Sequence, residues 1–283
     1  MRIEVSNQPV RLELVSAWFK SSRSTELARR DIYDGLTSWR IWWLLAWQDL
    51  RARYRRSVIG PLWLTVSTAA LIGGMGLVFS TLFKMDLREY LPFLAVGIIL
   101  WQLISTLLVE STTAFIQAES IIKSMNLPYS IHVLRVITRN VLILFHNLTV
   151  LVVVWIVFQI DVGFTTLLFI PGIVLIILNG MWMGILFGTL GTRYRDIQQS
   201  IANVAQIIFF LTPIMWPLKQ LGERGYIATY NPLYHVIEVV REPLLGNVPE
   251  LTSYIVVTAM AVIGWITAYL FFCRYRRRIT YWL

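Results

Sequence analysis

Long apolar stretches separated by short polar segments occupy residues 58–83, 91–112, 132–160, 166–190, 198–217 and 251–273. Each is close to the roughly 20 residues a helix needs to cross a hydrocarbon core. The pattern predicts an all-α integral membrane protein of six transmembrane helices, with both termini on one side. Segments 84–90 and 161–165 are short enough to make antiparallel pairs of spans 1 and 2 and of spans 3 and 4. The longer segment 113–131 overlaps TTAFIQAESIIKSMNL, residues 112–127, stopped by Pro128, and reads as a short helix near 114–127 lying across the membrane surface. Residues 218–250 hold two partly apolar runs broken by Gly222, Gly225, Pro232, Pro243, Gly246 and Pro249. Such a broken-helix segment can re-enter the membrane if protein buries its backbone.

Ahead of the first span, Ser38 to Trp63 reads SWRIWWLLAWQDLRARYRRSVIGPLW. Trp39, Trp43, Trp47 and Leu50 recur at helical spacing, whereas Arg40, Gln48 and Arg51 fall on other sides, so an amphipathic helix is predicted, capped by Thr37 or Ser38. Arg51, Arg53, Arg55 and Arg56 follow it, and anionic headgroups attract each such residue by roughly 1 kcal/mol. The domains are then a cytoplasmic N-terminal segment 1–37, the amphipathic helix with its basic cluster 38–57, and the six-helix domain 58–283, with a basic cytoplasmic tail at 274–283.

Charge supports this topology. The Arg51 to Arg56 cluster, Lys123, Arg135, Arg193, Arg195 and Arg274 to Arg278 fall on one side, which the positive-inside rule makes cytoplasmic. Residues 219–250, on the other side, hold four acids against three bases. A hydrophobic content of 57% with 14% charged residues excludes a soluble globular class. The net charge of +9 belongs to span ends and not to a nucleic-acid face. The lone Cys273 excludes an intrachain disulfide, and residues 1–20 carry no cleavable signal pattern.

Catalytic chemistry is absent from the motifs. None of Lys20, Lys84, Lys123 and Lys219 follows a glycine, so there is no phosphate-binding loop. His132, His146 and His235 have no metal-ligand spacing, and no cofactor or metal is expected. His146 and Asn147 within the third span point to a hydrogen bond across packed helices. Glu110, Arg135 and Arg139 at inner span ends can snorkel or form a salt-bridge network. Gly180, Gly184 and Gly188, with Gly191, make a small-residue stripe for close packing within the subunit, a dimer seam being the second use. Trp42, Trp101 and Trp282 read as headgroup markers. Trp63, Phe209, Phe210 and Trp216 lie within the spans, and Tyr226, Tyr230 and Tyr234 recur every four residues outside them. Aromatic rings stack on the C–H faces of sugars, so these residues suit a slippery glycan path.

Three blocks, WQDLRARYRRSVIGPLW at 47–63, RYRDIQQSIANVAQIIFFLTPIMWP at 193–217 and NPLYHVIEVVREPLLG at 231–246, resemble those of ABC-2 type permeases that export O-antigen, capsule and teichoic acid. The resemblance runs from about residue 38 to the C-terminus. It implies a homodimer of permeases in the plasma (inner) membrane of a bacterium, with two separate nucleotide-binding ATPase subunits that hold ATP and Mg. The chain itself would be no enzyme. The amphipathic helix, with Trp43 and Trp47, and the helix bearing Glu119, Ser120 and Lys123 correspond to the family's interface and coupling helices. The pathway would run along spans 1 and 5, past Trp63, Phe209, Phe210 and Trp216, under outer gate helices bearing Tyr226 and Tyr230. The cargo would be an O-antigen-like polysaccharide on a polyprenyl diphosphate, attracted by Arg51, Arg53, Arg55 and Arg56. Two other readings stay open: export of a small amphiphile, and a membrane-embedded glycan-lipid enzyme using Glu223, Glu238 or Glu242. For the last two acids, a structural ion pair with Arg241 is the simpler reading.

Overall fold

A bilayer core offers no partner to a free backbone N–H or C=O, so apolar runs satisfy these groups internally as helices. The computed structural model describes residues 9–55, 60, 62–160 and 163–283, and among these there are helices and turns but no strands. In chain order the helices are α1 (Pro9–Thr37), α2 (Trp39–Tyr54), α3 (Leu62–Phe83), α4 (Leu87–Ser111), α5 (Glu119–Ser124), α6 (Ser130–Phe158), α7 (Phe169–Arg193), α8 (Ile197–Leu211), α9 (Tyr226–Thr229), α10 (Pro232–Leu244), α11 (Leu251–Tyr275) and α12 (Ile279–Trp282).

Among the described residues, five of these, α3, α4, α6, α7 with the turn before it, and α11, are long and apolar enough to cross a membrane. Helix α4 is the axis of the bundle: 72% of its most apolar window is buried, against 17% for the outer helix α3. Asp86 starts α4 by accepting from Arg88 N at 2.9 Å, and Gln159 ends α6 in the left-handed conformation at φ 53°.

The expected fifth span, 198–217, is shorter than its apolar run. Helix α8 stops at Leu211, because Pro213 has no N–H and forces Thr212 into an extended conformation, with ψ 137°. Fifteen residues span about 22 Å, short of a core of about 30 Å. The chain continues through a turn at Leu218–Gly225 and the one-turn helix α9 into α10. Asn231 caps α10 by accepting from Leu233 N at 3.0 Å, and Pro232 takes the first helical position. Helix α10 is buried among α4, α7 and α11. The broken segment between α8 and α11 therefore returns into the bundle.

Its irregular backbone is paired by side chains around it. Arg241 Nη1 donates to Pro213 O at 2.7 Å and the Tyr90 hydroxyl to Met215 O at 2.6 Å. Asn231 Nδ2 reaches the Thr212 hydroxyl at 2.8 Å. Helix α4 can come this close because residue 97 is glycine: a Cβ there would lie 2.7 Å from Ile214 O. Glu238 and Arg241 form the expected i,i+3 ion pair, completely enclosed on the Arg241 side.

Within the N-terminal segment, whose residues 1–8 lie outside the described ones, Pro9–Thr37 is a 29-residue helix, which the mixed pattern of its apolar positions did not announce. No side-chain cap separates α1 from α2. Ser38 makes none, and the Thr37 hydroxyl donates back to Tyr33 O at 3.0 Å. The buried carboxylate of Asp31 instead caps α6, accepting from Ser130 N at 3.0 Å and Tyr129 N at 3.2 Å. Arg276 joins it at 2.7 Å, so the region 274–283 is docked and not a free tail. Ile279 within it is fully buried. The second half of α1, the start of α6 and the end of α11 thus share one end of the bundle.

Candidate groove and coupling surface

Helices α3, α4 and α8 enclose a groove of about 680 Å³. Its floor is aromatic: Trp101 and Phe209 have ring centroids 5.7 Å apart, and Phe209 meets Phe210 edge-on at 5.2 Å. Trp101, expected at headgroup level, is 8% exposed and belongs to this wall, because it sits on the central helix α4. A polar edge runs down α4 through Gln102, Ser105, Thr106 and Glu110, with Gln206 facing from α8.

The other aromatic candidates do not join the floor. Trp63, at the start of α3, is 56% exposed and outside the groove lining. Trp216 donates from Nε1 to Phe210 O at 3.1 Å, bracing the break after α8. Tyr226 and Tyr230 are exposed and meet edge-on at 6.4 Å. The ladder ends there, since α9 stops at Thr229 and Tyr234 belongs to α10, where it packs on His235 at 5.1 Å.

Beside the groove lies a polar slot of about 260 Å³ between α3, α4 and α6. Asn147 Nδ2 donates to Gln102 Oε1 at 2.9 Å. The Thr68 hydroxyl lies 3.3 Å from the same oxygen and 3.4 Å from Asn147 Oδ1, so its single proton is shared. Asn147 therefore makes the expected bond between helices; the His146 ring bonds its own helix at Leu142 O, while the His146 carbonyl accepts from the Thr65 hydroxyl of α3 at 3.2 Å.

A charge network joins α2 to the bundle. Arg135 and Arg139 on α6 both reach Asp49 on α2, Arg139 at 2.9 Å, and Arg139 also holds Glu110 on α4 at 2.8 Å. Asn140 donates to Glu110 at 2.7 Å, and Arg53 reaches it at 3.3 Å. Charges this enclosed persist only when paired and hydrogen-bonded. Sequence reading saw the three residues on the spans but missed Asp49, whose one signal is that it is the only acid in the helix Trp39–Tyr54.

The predicted apolar stripe of α2 is buried only toward its C-terminal end: Leu50 is covered, whereas Trp43 and Trp47 are exposed. Arg51, Arg53 and Arg55 are exposed; Arg56 lies outside the described residues. The surface helix expected over 114–127 is helical only at Glu119–Ser124, with buried turns before it. Lys123 donates to Glu119 at 2.6 Å, and this bond holds the carboxyl of Glu119 below its usual range. Ser120 O accepts from the Ser124 hydroxyl.

The glycine stripe of α7 faces α4 and α6. A Cβ on Gly184 would lie 2.2 Å from Val133, on Gly188 3.1 Å from Phe115, on Gly180 3.3 Å from Leu107, and on Gly191 1.9 Å from Thr112 O. Among the described residues, no group of acids, histidines and cysteines is placed to hold a metal.

Comparison with known proteins places this geometry. Residues 40–245 match the model of the ABC-2 type transporter family. The chain is 25% identical over 221 residues to the O-antigen export system permease protein RfbA of Klebsiella pneumoniae, covering 77% of this chain and 84% of that one. A second Klebsiella pneumoniae RfbA is 28% identical over 196 residues, 67% and 74% of the two chains. The polysialic acid transport protein KpsM of Escherichia coli is 22% identical over 241 residues, 82% and 90%.

Proposed function

The chain belongs to the ABC-2 type transporter family, and from that premise we propose that it is the membrane permease subunit of a bacterial polysaccharide exporter. The carrying observation is the groove between α3, α4 and α8, whose floor of Trp101, Phe209 and Phe210 offers stacking surfaces to sugar rings beside a polar edge. Its relatives RfbA and KpsM are named for O-antigen export and polysialic acid transport.

In this reading two copies pair in the inner membrane and two ATPase subunits bind beneath them, holding ATP and Mg. Six crossings arise from the five long helices plus the α8–α10 segment. The end carrying Arg53, Arg135, Arg193 and Arg276 faces the cytoplasm, as the positive-inside rule favours. The ATPases press on the exposed Trp43 and Trp47 of α2 and on Glu119, Ser120 and Lys123 of α5. Asp49 passes displacement of α2 to Arg139, and Arg139 to Glu110 at the inner end of the groove. The seam then opens to a glycan on a polyprenyl diphosphate, which Arg51, Arg53 and Arg55 attract at the inner leaflet. Tyr226 and Tyr230 line its outer exit.

The test is depletion of the protein in its native host, followed by analysis of inner-leaflet lipid-linked glycan. Accumulation of a polyprenyl-linked polymer with matching loss from the cell surface is expected. An unchanged surface glycan with no accumulation overturns the reading.

A further inference from the structure

Resting on the exporter reading, we propose that the groove holds a hydrogen-bonding sugar subsite. In it the side-chain amides of Gln102 on α4 and Gln206 on α8 bind hydroxyls of one sugar unit over the rings of Trp101, Phe209 and Phe210. A glutamine in the middle of an apolar helix is costly unless its polar atoms are used. Packing uses only one of them. Gln102 Oε1 accepts from both Asn147 and Thr68, which are almost fully buried, so the carbonyl side of the amide is fixed toward α3 and α6.

The other side is left open. Gln102 Nε2 has no hydrogen-bond partner among the described residues, and Gln102 lines the groove as well as the slot. Gln206 is exposed on the same groove, and its side chain makes no hydrogen bond among the described residues. Two amides with unused donors above an aromatic floor match a pyranose, whose equatorial hydroxyls pair with amides while its C–H face stacks on rings. The groove's 680 Å³ lies within the range of about 300–1,000 Å³ found for ligand pockets. Neutral amides also suit a moving polymer, which must be held firmly enough to enter and weakly enough to leave.

The experiment replaces the chromosomal copy in the native host with Gln102→Ala, Gln206→Ala, Gln206→Asn or, as a control on the far face of α11, Thr258→Ala. Gln102→Ala and Gln206→Ala are each expected to lower surface glycan by about five- to tenfold, the effect of one unreplaced hydrogen bond, with lipid-linked polymer accumulating inside. Gln206→Asn recovers part of the loss. Because the exposed Gln206 side chain makes no hydrogen bond among the described residues, its variants are expected to keep wild-type membrane levels and oligomeric state. Full export by both alanine variants, in a host where deletion of the gene abolishes surface glycan, overturns the subsite and leaves the exporter reading intact. Loss of the dimer in both variants also overturns it and makes the groove a seam between copies. If deletion leaves the surface glycan unchanged, the exporter reading itself falls and the subsite with it.

A second measurement reads binding directly. Ser105→Cys places a thiol in the groove, and lipid-linked glycan extracted from the depleted host is expected to protect it from maleimide labelling. Protection disappears on adding Gln206→Ala. Equal protection by polyprenyl phosphate without sugar overturns the subsite and assigns the groove to lipid.

Discussion

Arg241 Nη1 donates to the main-chain carbonyl of Pro213 at 2.7 Å, fastening the buried helix α10 to the break that ends α8. The same guanidinium pairs with Glu238 and lies 4.2 Å over the ring of Phe93. Arg241→Met strands a carboxylate and a carbonyl inside the bundle, which costs about 3–5 kcal/mol. The expected result is loss of monodisperse protein in detergent chromatography. Adding Glu238→Gln removes the stranded charge and recovers part of the folded fraction, whereas Glu238→Gln alone is the milder change.

Asp49→Asn keeps the shape of the link between α2 and α6 but removes the charge that Arg135 and Arg139 share. In the proposed complex with ATPase subunits, ATP hydrolysis is expected to persist while export falls by about tenfold, a coupling free energy within the usual 1–3 kcal/mol. The ratio of glycan exported to ATP hydrolysed in reconstituted vesicles is the check. An unchanged ratio removes Asp49 from the path of force.

Two glycines of one stripe are predicted to differ. At Gly191 an added methyl meets the Thr112 carbonyl at 1.9 Å, and backbone cannot step aside. At Gly180 the neighbour is the end of the Leu107 side chain at 3.3 Å, which can rotate. Gly191→Ala is therefore expected to destabilise by about 1–3 kcal/mol and Gly180→Ala by clearly less, read as the difference in melting temperature of the purified proteins.

Asp31→Ala removes the acceptor for Tyr129 N, Ser130 N and Arg276 together. The expected cost is about 3 kcal/mol or more, with protease sensitivity appearing first in α1 and in residues 274–283. Arg276→Ala is expected to open the C-terminal segment while leaving the cap of α6 in place.

The long helices were legible because an apolar run of membrane length has few other outcomes in lipid. Hydropathy is blind to where such a run stops being helical, and so the fifth stretch was read to residue 217 although Pro213 marks its end. Helix α1 escaped notice because its apolar positions are scattered among charges and its docking depends on Asp31 finding partners near residues 130 and 276. Phe209 and Phe210 were legible as aromatics in a span, and the structure puts both on the groove; Trp63 had the same credentials and lies outside it, since one sequence does not set a helix's rotation. Asn147 announced itself as a polar residue in lipid. Its partners Thr68 and Gln102 stand 79 and 45 residues away, a separation over which no local pattern speaks.

The pairing of Asp31 with Arg276 also sets an order of events on the ribosome. The two residues are 245 positions apart, so Asp31 emerges early and waits through nearly the whole of translation for its strongest partner. Until then the main contacts open to α1 are those with α6, because its others are made by α11. A chain terminated before the last span would therefore lack about half of what holds its opposite end.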